Sequence, residues 1–299
     1  VMCTSIQMKA SDGSILFART MDWHEYRPNP LRLPKNYQWK TVYDQQKIQN
    51  TYAILGVGKN LDDGSVDLSD GVNEYGLSVQ KLTFSNASSY QLTKKPNHLA
   101  IAPFEFVLWA LGKCRSVADL IKQLDFLQLM TDDFSDFKFG RNDLHFSATD
   151  RTGRMISIEP INQTFIVKEN PIGVVTNAPK LEREIEKLTP YLTLTSEKRG
   201  LNQISDGQFS GKTVMPGGFT PTSRFVRATV LKERAVTPKD EVQNVIETWH
   251  ILNSVTTPKS DGRSDTYTIY RAAVDLSSCS LYFQAYQDFS IQRFSFLMD

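Results

Sequence analysis

Near the start of the chain, apolar and polar positions alternate with the two-residue period of a strand. Thr4, Ile6 and Met8 fall on one face, Ser11-Asp12-Gly13 supplies a turn, and Ile15-Leu16-Phe17 resumes an apolar run. The pattern predicts an antiparallel hairpin with Cys3 on the face opposite Ile6. Further strand-like runs cover Thr51 to Val57, Leu77 to Phe84, Leu144 to Thr149, Met155 to Glu159, Phe165 to Lys168, Thr266 to Val274 and Ser280 to Tyr286. Several are joined by short turns, which favours pairing between neighbours. Helical signals interrupt them in groups. Pro103 to Leu111 is predicted to stop at Gly112, and Ser116-Val117-Ala118-Asp119 reads as a capping box opening a second helix. Leu181 to Leu192 forms a third, and Thr220 caps a fourth that begins at Pro221. From Asp240, the residues Val242, Val245, Ile246, Trp249 and Leu252 recur at three- and four-residue spacing, a stripe expected to face a core. Groups of antiparallel strands separated by groups of helices predict an α+β architecture, with sheets inside and helices outside. No repeat, low-complexity block or linker divides the chain, so residues 1–299 are expected to form one domain.

Composition narrows the possible functions. The 299 residues are 40% hydrophobic and 22% charged, enough to bury a large core. Lys plus Arg total 34 against 33 for Asp plus Glu, a net charge of +1, so no long-range field favours a polyanion and nucleic acid is not an expected partner. The most apolar window, Ile101 to Leu111, is broken by Pro103 and Glu105 and falls far short of the roughly 20 residues that span a bilayer, so no membrane segment is expected. The opening VMCTSIQMKA lacks the basic, apolar and small-residue regions of a secretory signal, and Cys3, Cys114 and Cys279 make neither a disulfide framework nor a zinc ribbon. The reading is cytoplasmic. His24, His98, His145 and His250 lack metal-ligand spacing, Gly211-Lys212-Thr213 lacks the glycine that a phosphate loop needs, and Gly56-x-Gly58 lacks the third glycine of a dinucleotide fingerprint. No metal and no cofactor are expected.

The chemistry centres on Cys3, which only Val1 and Met2 precede. With those two residues removed, one residue carries both a thiol and an α-amine, whose usual pKa of roughly 7.7 to 8 lets it take the thiol proton without a histidine. Arg19 and Asp22 close the second strand beside it. Arg19 would stabilise thiolate, and Asp22 could accept hydrogen bonds from the α-ammonium. Three-residue spacing puts their side chains on opposite faces of a flat strand, so both reach one site only if the strand ends or bulges between them. Taken alone, Cys3 is a plain strand cysteine and Arg19 with Asp22 a surface ion pair.

Met2-Cys3-Thr4-Ser5, Leu16-Phe17-Ala18-Arg19-Thr20-Met21-Asp22, Asp70-Gly71-Val72-Asn73-Glu74-Tyr75-Gly76-Leu77, Val175-Thr176-Asn177-Ala178-Pro179, Phe219-Thr220-Pro221-x-Ser223-Arg224-Phe225 and Tyr267-Thr268-Ile269-Tyr270 occur in this order. Together they resemble the choloylglycine hydrolase family, the bile salt hydrolases and penicillin V acylases, from residue 2 to about 290. The resemblance implies an N-terminal-nucleophile hydrolase with an αββα sandwich and a homotetrameric assembly. It implies that Cys3 is the nucleophile, that Arg19, Asp22, Asn177 and Arg224 surround it, and that the Asn177 side chain and the Thr83 backbone hold the oxyanion. A preorganised donor of that kind is worth roughly 3 to 4 kcal/mol in the transition state. Arg224 falls in the first turn of a helix, where a cation opposes the dipole and calls for an acidic partner.

At position 83 the bile salt hydrolases commonly carry Asn and the penicillin V acylases Tyr, where this chain has Thr. Pro216-Gly217-Gly218 and Arg183-Glu184 depart from the pattern in loops near the assembly surface. The wording of Arg19 to Asp22, and Asp265-x-Tyr267-Thr268, lean toward the penicillin V acylase side. The expected activity is therefore cofactor-free hydrolysis of a small-molecule linear amide with an apolar acyl group, with a conjugated bile acid as the near alternative and a non-catalytic binder of amphipathic ligands as the reading from another class. The acyl group is expected on aromatic residues: Trp23 and Tyr26, which follow Asp22, and Phe134, Phe137 and Phe139 in a segment that suits a loop over a pocket.

Overall fold

The computed structural model describes residues 2–24, 26–84, 87–131, 143–177, 180–191, 215–261 and 266–297. Its strands are β1 (Met2–Lys9), β2 (Ile15–Trp23), β3 (Asn29–Leu33), β4 (Gln38–Lys40), β5 (Lys47–Gln49), β6 (Ile54–Asn60), β7 (Val66–Asn73), β8 (Ser78–Thr83), β9 (Leu99–Ile101), β10 (Leu127–Leu129), β11 (Leu144–Thr149), β12 (Met155–Ile161), β13 (Thr164–Glu169), β14 (Val174–Val175), β15 (Tyr267–Asp275), β16 (Ser280–Ala285) and β17 (Gln292–Phe294). One sheet runs β14-β1-β2-β15-β16-β17 and the other β13-β12-β11-β8-β7-β6-β3. The helices are α1 (Phe106–Lys113), α2 (Val117–Gln123), α3 (Leu181–Glu186), α4 (Pro221–Arg234) and α5 (Glu241–Val255). Among the described residues no helix is long and apolar enough to cross a membrane.

Three apolar layers hold the four structural ones together. Phe17, Met21, Leu55, Val57, Val72, Leu82 and Phe283 pack between the two sheets. Ile6, Met8, Leu16 and Ala18 point the other way, onto Phe225 and Val226 of α4 and Trp249 and Leu252 of α5. Phe106, Val107 and Leu111 of α1 cover the far face of the second sheet at Ile54, Leu68 and Phe146. The result is the expected αββα sandwich, in which burial of each Phe or Leu contributes on the order of 2 kcal/mol. Alternation along β1 places Cys3 between the sheets and Ile6 against the helices, as the hairpin pattern predicts.

Several elements differ from the sequence reading, each for a local reason. The run from Thr51 starts later, at Ile54, because the Thr51 and Tyr52 N–H groups donate to the Gly112 carbonyl. Helix α1 continues through Gly112 to Lys113. That glycine is a close-approach residue, since a Cβ there would lie 2.3 Å from the Asn50 side chain. The third helix ends at Glu186, and a short 3-10 turn at Thr189–Tyr191 follows. Pro190 lacks the N–H that would donate to the Glu186 carbonyl, so the α-helical ladder cannot run through it, and Leu192 lies outside the described residues. On α5, Val242 and Ile246 are 65% and 50% exposed, so the stripe does not all face the core. The buried face instead includes Asn244, which donates to the Met8 carbonyl at 2.9 Å and accepts from Thr248 at 3.0 Å. Strand β7 changes phase at an irregularity in its pairing with β6: Val66 and Leu68 face the α1 side and Val72 the other sheet, while Asp67, Ser69 and Asp70 are bonded to Lys81, Tyr26 and Tyr270.

Candidate active site

The β1–β2 register decides what surrounds Cys3. Cys3 stands opposite Met21 and Ser5 opposite Arg19, while Thr4 faces Thr20 and Met2 faces Asp22. Side chains of the first two pairs enter the layer between the sheets, and those of Thr4 and Asp22 enter the layer under α4 and α5. Arg19 is fully buried. Its Nη1 donates to the Lys81 carbonyl at 2.8 Å and lies 3.6 Å from Asp70 Oδ2, and its Nη2 reaches Met21 Sδ at 3.7 Å. Tyr270 Oη donates to the same Asp70 Oδ2 at 2.5 Å, so one buried carboxylate takes both groups. On the other face, Asp22 accepts from Thr268 Oγ1 at 2.6 Å and from Thr257 Oγ1 at 3.3 Å. Burial pushes the Asp22 carboxyl up to about 6, against the opposing pull of Arg224 and the two hydroxyls.

Arg19 and Asp22 therefore do not form a surface ion pair: both are buried, on opposite sides of one sheet. No bulge separates them in β2, whose pairing with β1 is unbroken. The irregularity lies in the facing strand β15, between Thr268 and Tyr270. Two residues apart, these side chains would share a face in a regular strand. The extra residue sends Thr268 to Asp22 and Tyr270 to Asp70.

Strand β14 pairs with β1, Val175 opposite Ser5, and so brings Asn177 up to Cys3. The Cys3 backbone N–H donates to Asn177 Oδ1 at 2.6 Å. Arg224 Nη2 donates to that same oxygen at 2.9 Å, and its Nη1 donates to the Cys3 carbonyl at 2.6 Å and to Thr4 Oγ1 at 2.8 Å. Asn177 Nδ2 donates to the Thr83 carbonyl at 2.9 Å. Two donors at the oxygen and one acceptor at the nitrogen fix which way the amide points. The acceptor for the Cys3 nitrogen is thus Asn177, and the Asp22 carboxylate is engaged by the threonine hydroxyls. Thr220 caps α4 as expected, its Oγ1 accepting from Ser223 N at 3.2 Å. Arg224, in the first turn, has burial working against its charge and Asp22 and Glu184 working for it.

Cys3 Sγ opens on a cleft of about 320 Å³. Met21, Trp23, Tyr26, Leu61, Phe104 and Leu144 supply apolar wall, and Ser69, Thr83, Lys59, Lys81, Asp67 and His24 supply polar groups. Trp23 and Tyr26 stand where the sequence reading puts them, with Tyr26 Oη 3.1 Å from Ser69 Oγ. Phe134, Phe137 and Phe139 lie outside the described residues. The other thiols belong to the core. Burial pushes both Cys114 and Cys279 up, and neither lines the cleft. His145 is held down to about 3 by burial, stacked on Phe84 at 4.5 Å. His24, which the sequence reading passed over, lines the cleft, but its ring meets the edge of Trp23 at 5.5 Å while Cys3 Sγ has Met21 Sδ and the Asp22 carbonyl as neighbours.

Asp70 and Tyr270 sit inside motifs already noted, without an assigned part. Thr257, Ser69, Lys59 and Lys81 carried no sequence signal beyond strand alternation or loop position. Asn73, from the same motif as Asp70, has a structural duty: its Nδ2 donates to the Leu111 and Cys114 carbonyls at the end of α1.

A family model described as linear amide C–N hydrolases, choloylglycine hydrolase family, matches residues 3–299. The bile salt hydrolase/transferase of Clostridium perfringens is 28% identical over 298 residues, covering 96% of this chain and 90% of that protein. The bile salt hydrolase/transferase of Lactiplantibacillus plantarum is 28% identical over 309 residues, covering 98% and 92%. Among solved structures, a mutant of the conjugated bile acid hydrolase from Clostridium perfringens superposes with a TM-score of 0.84 at 26% identity, over 98% of this chain and 92% of that one. The penicillin V acylase from Agrobacterium tumefaciens gives 0.76 at 17% identity, over 98% and 86%, a likeness of fold.

Proposed function

We propose, for a chain that belongs to the choloylglycine hydrolase family of linear amide C–N hydrolases, that Cys3 is the nucleophile, freed at its α-amine by removal of Val1 and Met2. The α-amine takes the Sγ proton and the thiolate attacks the amide carbonyl, forming a C–S bond. The tetrahedral oxyanion takes the second Asn177 Nδ2 hydrogen and the Thr83 backbone N–H. Collapse breaks the C–N bond, the ammonium returns its proton to the leaving amine, and water then cleaves the thioester with the α-amine as base. Arg19 sets a positive charge on the inter-sheet side of Cys3. Arg224 and Asp22 hold the backbone and the charge balance on the other side. The observation that carries this reading is the Cys3 nitrogen bonded to Asn177 Oδ1, with Sγ on the wall of a cleft large enough for a small amide.

The substrate proposed is an amide of an apolar acyl group seated against Trp23, Tyr26, Leu61 and Phe104. Conjugated bile acids are the first candidates, supported by the names of the relatives at 28% identity. Penicillin V is the second, supported by the wording of Arg19 to Asp22. The assembly proposed with it is a cytoplasmic homotetramer, on the family resemblance; sedimentation tests the tetramer. Free-amine release from penicillin V and from glycine- and taurine-conjugated bile acids tests the activity, with intact mass recording the N-terminus. Turnover of either substrate class by trimmed protein is the expected result. Retention of Val1-Met2 under all conditions, with ligand binding and no turnover, would favour a non-catalytic binder.

A further inference from the structure

The ionisable groups lining the cleft do not balance. Lys81 pairs with Asp67 inside it, and both side chains are nearly buried. Lys59 stands directly opposite Asp67 in the β6–β7 ladder, so the two project from the same face of the sheet. Yet Lys59 is not drawn to that carboxylate, which Lys81 already occupies. Its Nζ lies over the Tyr26 ring at 5.9 Å from the centroid, and Tyr26 is in turn fixed by its hydroxyl to Ser69. No carboxylate among the described residues is within ion-pair distance of Lys59. Elsewhere the cleft that Lys59 lines has an apolar wall, which includes Trp23, Leu61, Phe104 and Leu144. An ammonium with no ion-pair partner among the described residues, on a cleft with apolar walls, attracts an anion held in that cleft more strongly than one in open water, because the ligand filling the cleft displaces part of the screening solvent.

We propose that Lys59 is a specificity residue that binds an oxyanionic group, carboxylate or sulfonate, on the amine half of the substrate. The assignment to the amine half rests on the reading above, in which the acyl half is apolar and seated on the aromatic wall. A Lys ammonium suits this task, because it meets either oxyanion as a point charge without requiring a planar partner. Substrates lacking the anion enter the same cleft and reach the same Cys3, but lose the attraction at its mouth. Lys59 is exposed in the free protein, so its effect falls on binding and not on the bond-breaking step.

The test uses three amides of one bile acid, with glycine, taurine and glycinamide, the last being neutral. Lys59→Met keeps the length and apolar body of the side chain and removes the charge. It is expected to raise KM for the glycine and taurine amides about 5- to 10-fold at nearly unchanged kcat, to leave the glycinamide amide unaffected, and to be rescued by Lys59→Arg. A loss on the glycine amide alone assigns the group as carboxylate, and a loss on both charged amides as either oxyanion. Equal effects on all three, or on none, overturn the proposal. If the wild-type protein hydrolyses none of them, the bile acid reading of the substrate falls. Equilibrium binding of the same three amides to Cys3→Ala protein, with and without Lys59→Met, then decides the role of Lys59 alone by the same contrast.

Discussion

Arg224 grips Asn177 by its amide oxygen, and that grip sets where the amide nitrogen points. Nη2 donates to Oδ1 at 2.9 Å, alongside the Cys3 N–H at 2.6 Å, which turns Nδ2 toward Thr83. Asn177→Ala is expected to lower kcat about 100- to 1000-fold with a smaller effect on KM, the signature of a donor used in the transition state. A change confined to KM would remove Asn177 from the oxyanion site. Arg224→Lys, which keeps the charge but loses the fork, should lower kcat in the same direction because a single ammonium cannot serve the Cys3 carbonyl, Thr4 and Asn177 together.

Cys3→Ala should abolish turnover, while Cys114→Ala and Cys279→Ala should leave it within a few-fold. Only Cys3 lies on the cleft, and burial keeps the other two thiols protonated. Mass spectrometry and kinetics on the same sample add a sharper check. Protein proven to retain Val1-Met2 has an amide nitrogen at Cys3 and no free amine there, so it should be inactive. Turnover equal to that of trimmed protein would sink the α-amine mechanism.

Trp23 is half-buried on the cleft wall, where a ring contributes to binding without closing a core. Trp23→Ala is expected to raise KM with kcat nearly kept and with little change in melting temperature. Phe17, fully buried between the sheets, is the contrast: its replacement by Ala should cost roughly 3 to 5 kcal/mol of stability. A large fall in Tm for Trp23→Ala at unchanged KM would move the acyl pocket elsewhere.

Glu184 gives stability a pH dependence. Its carboxyl is buried against Thr222, which donates to Oε1 at 3.0 Å, and burial pushes it up to about 7 from an ordinary 4.5. The folded state therefore binds a proton more readily than the unfolded one between those values. The resulting stabilisation is complete below about 4.5 and is lost as pH rises through about 7. Glu184→Gln, neutral at every pH, should be more stable than wild type at pH 8 by on the order of 2 kcal/mol, with the gap closing toward pH 5. Urea unfolding at the two pH values measures it; a gap independent of pH would show that Glu184 is ionised throughout.

The hairpin, the helix cap at Thr220 and the placement of Cys3 opposite Ile6 were all readable from spacing, because each depends on neighbours in the chain. Strand β7 was not. Asp67, Ser69 and Asp70 look like loop residues until Lys81, Tyr26, Arg19 and Tyr270 are brought beside them, and Tyr270 comes from 200 residues away. The same distance hid the split of Arg19 and Asp22 to opposite faces: their spacing foretold it, but the bulge that serves them lies on β15. The exposure of Val242 and Ile246 was hidden for the converse reason, since the buried face of α5 is partly polar and satisfied by Met8 and Thr248. Lys59 and Lys81 carry no motif at all; only the folded structure shows that Lys81 pairs with Asp67 while Lys59 has no ion-pair partner among the described residues.

The separation between Cys3 and its holding groups also has a meaning in time. Cys3 ends up 2% exposed, its backbone carbonyl held by Arg224, whose codon follows 221 residues later. At synthesis rates of about 5 to 20 residues per second, roughly 10 to 45 s pass between the two. The β1–β2 hairpin can close within that interval, but Asn177, Arg224 and β15 cannot yet be there. Throughout it the thiol is open to any oxidant in the surrounding medium, and sulfinic acid formed then is carried permanently into the finished fold. On the mechanism proposed above, thiol lost to sulfinic acid during translation subtracts from the competent fraction of a preparation, and later addition of reductant recovers only the thiols that were oxidised reversibly.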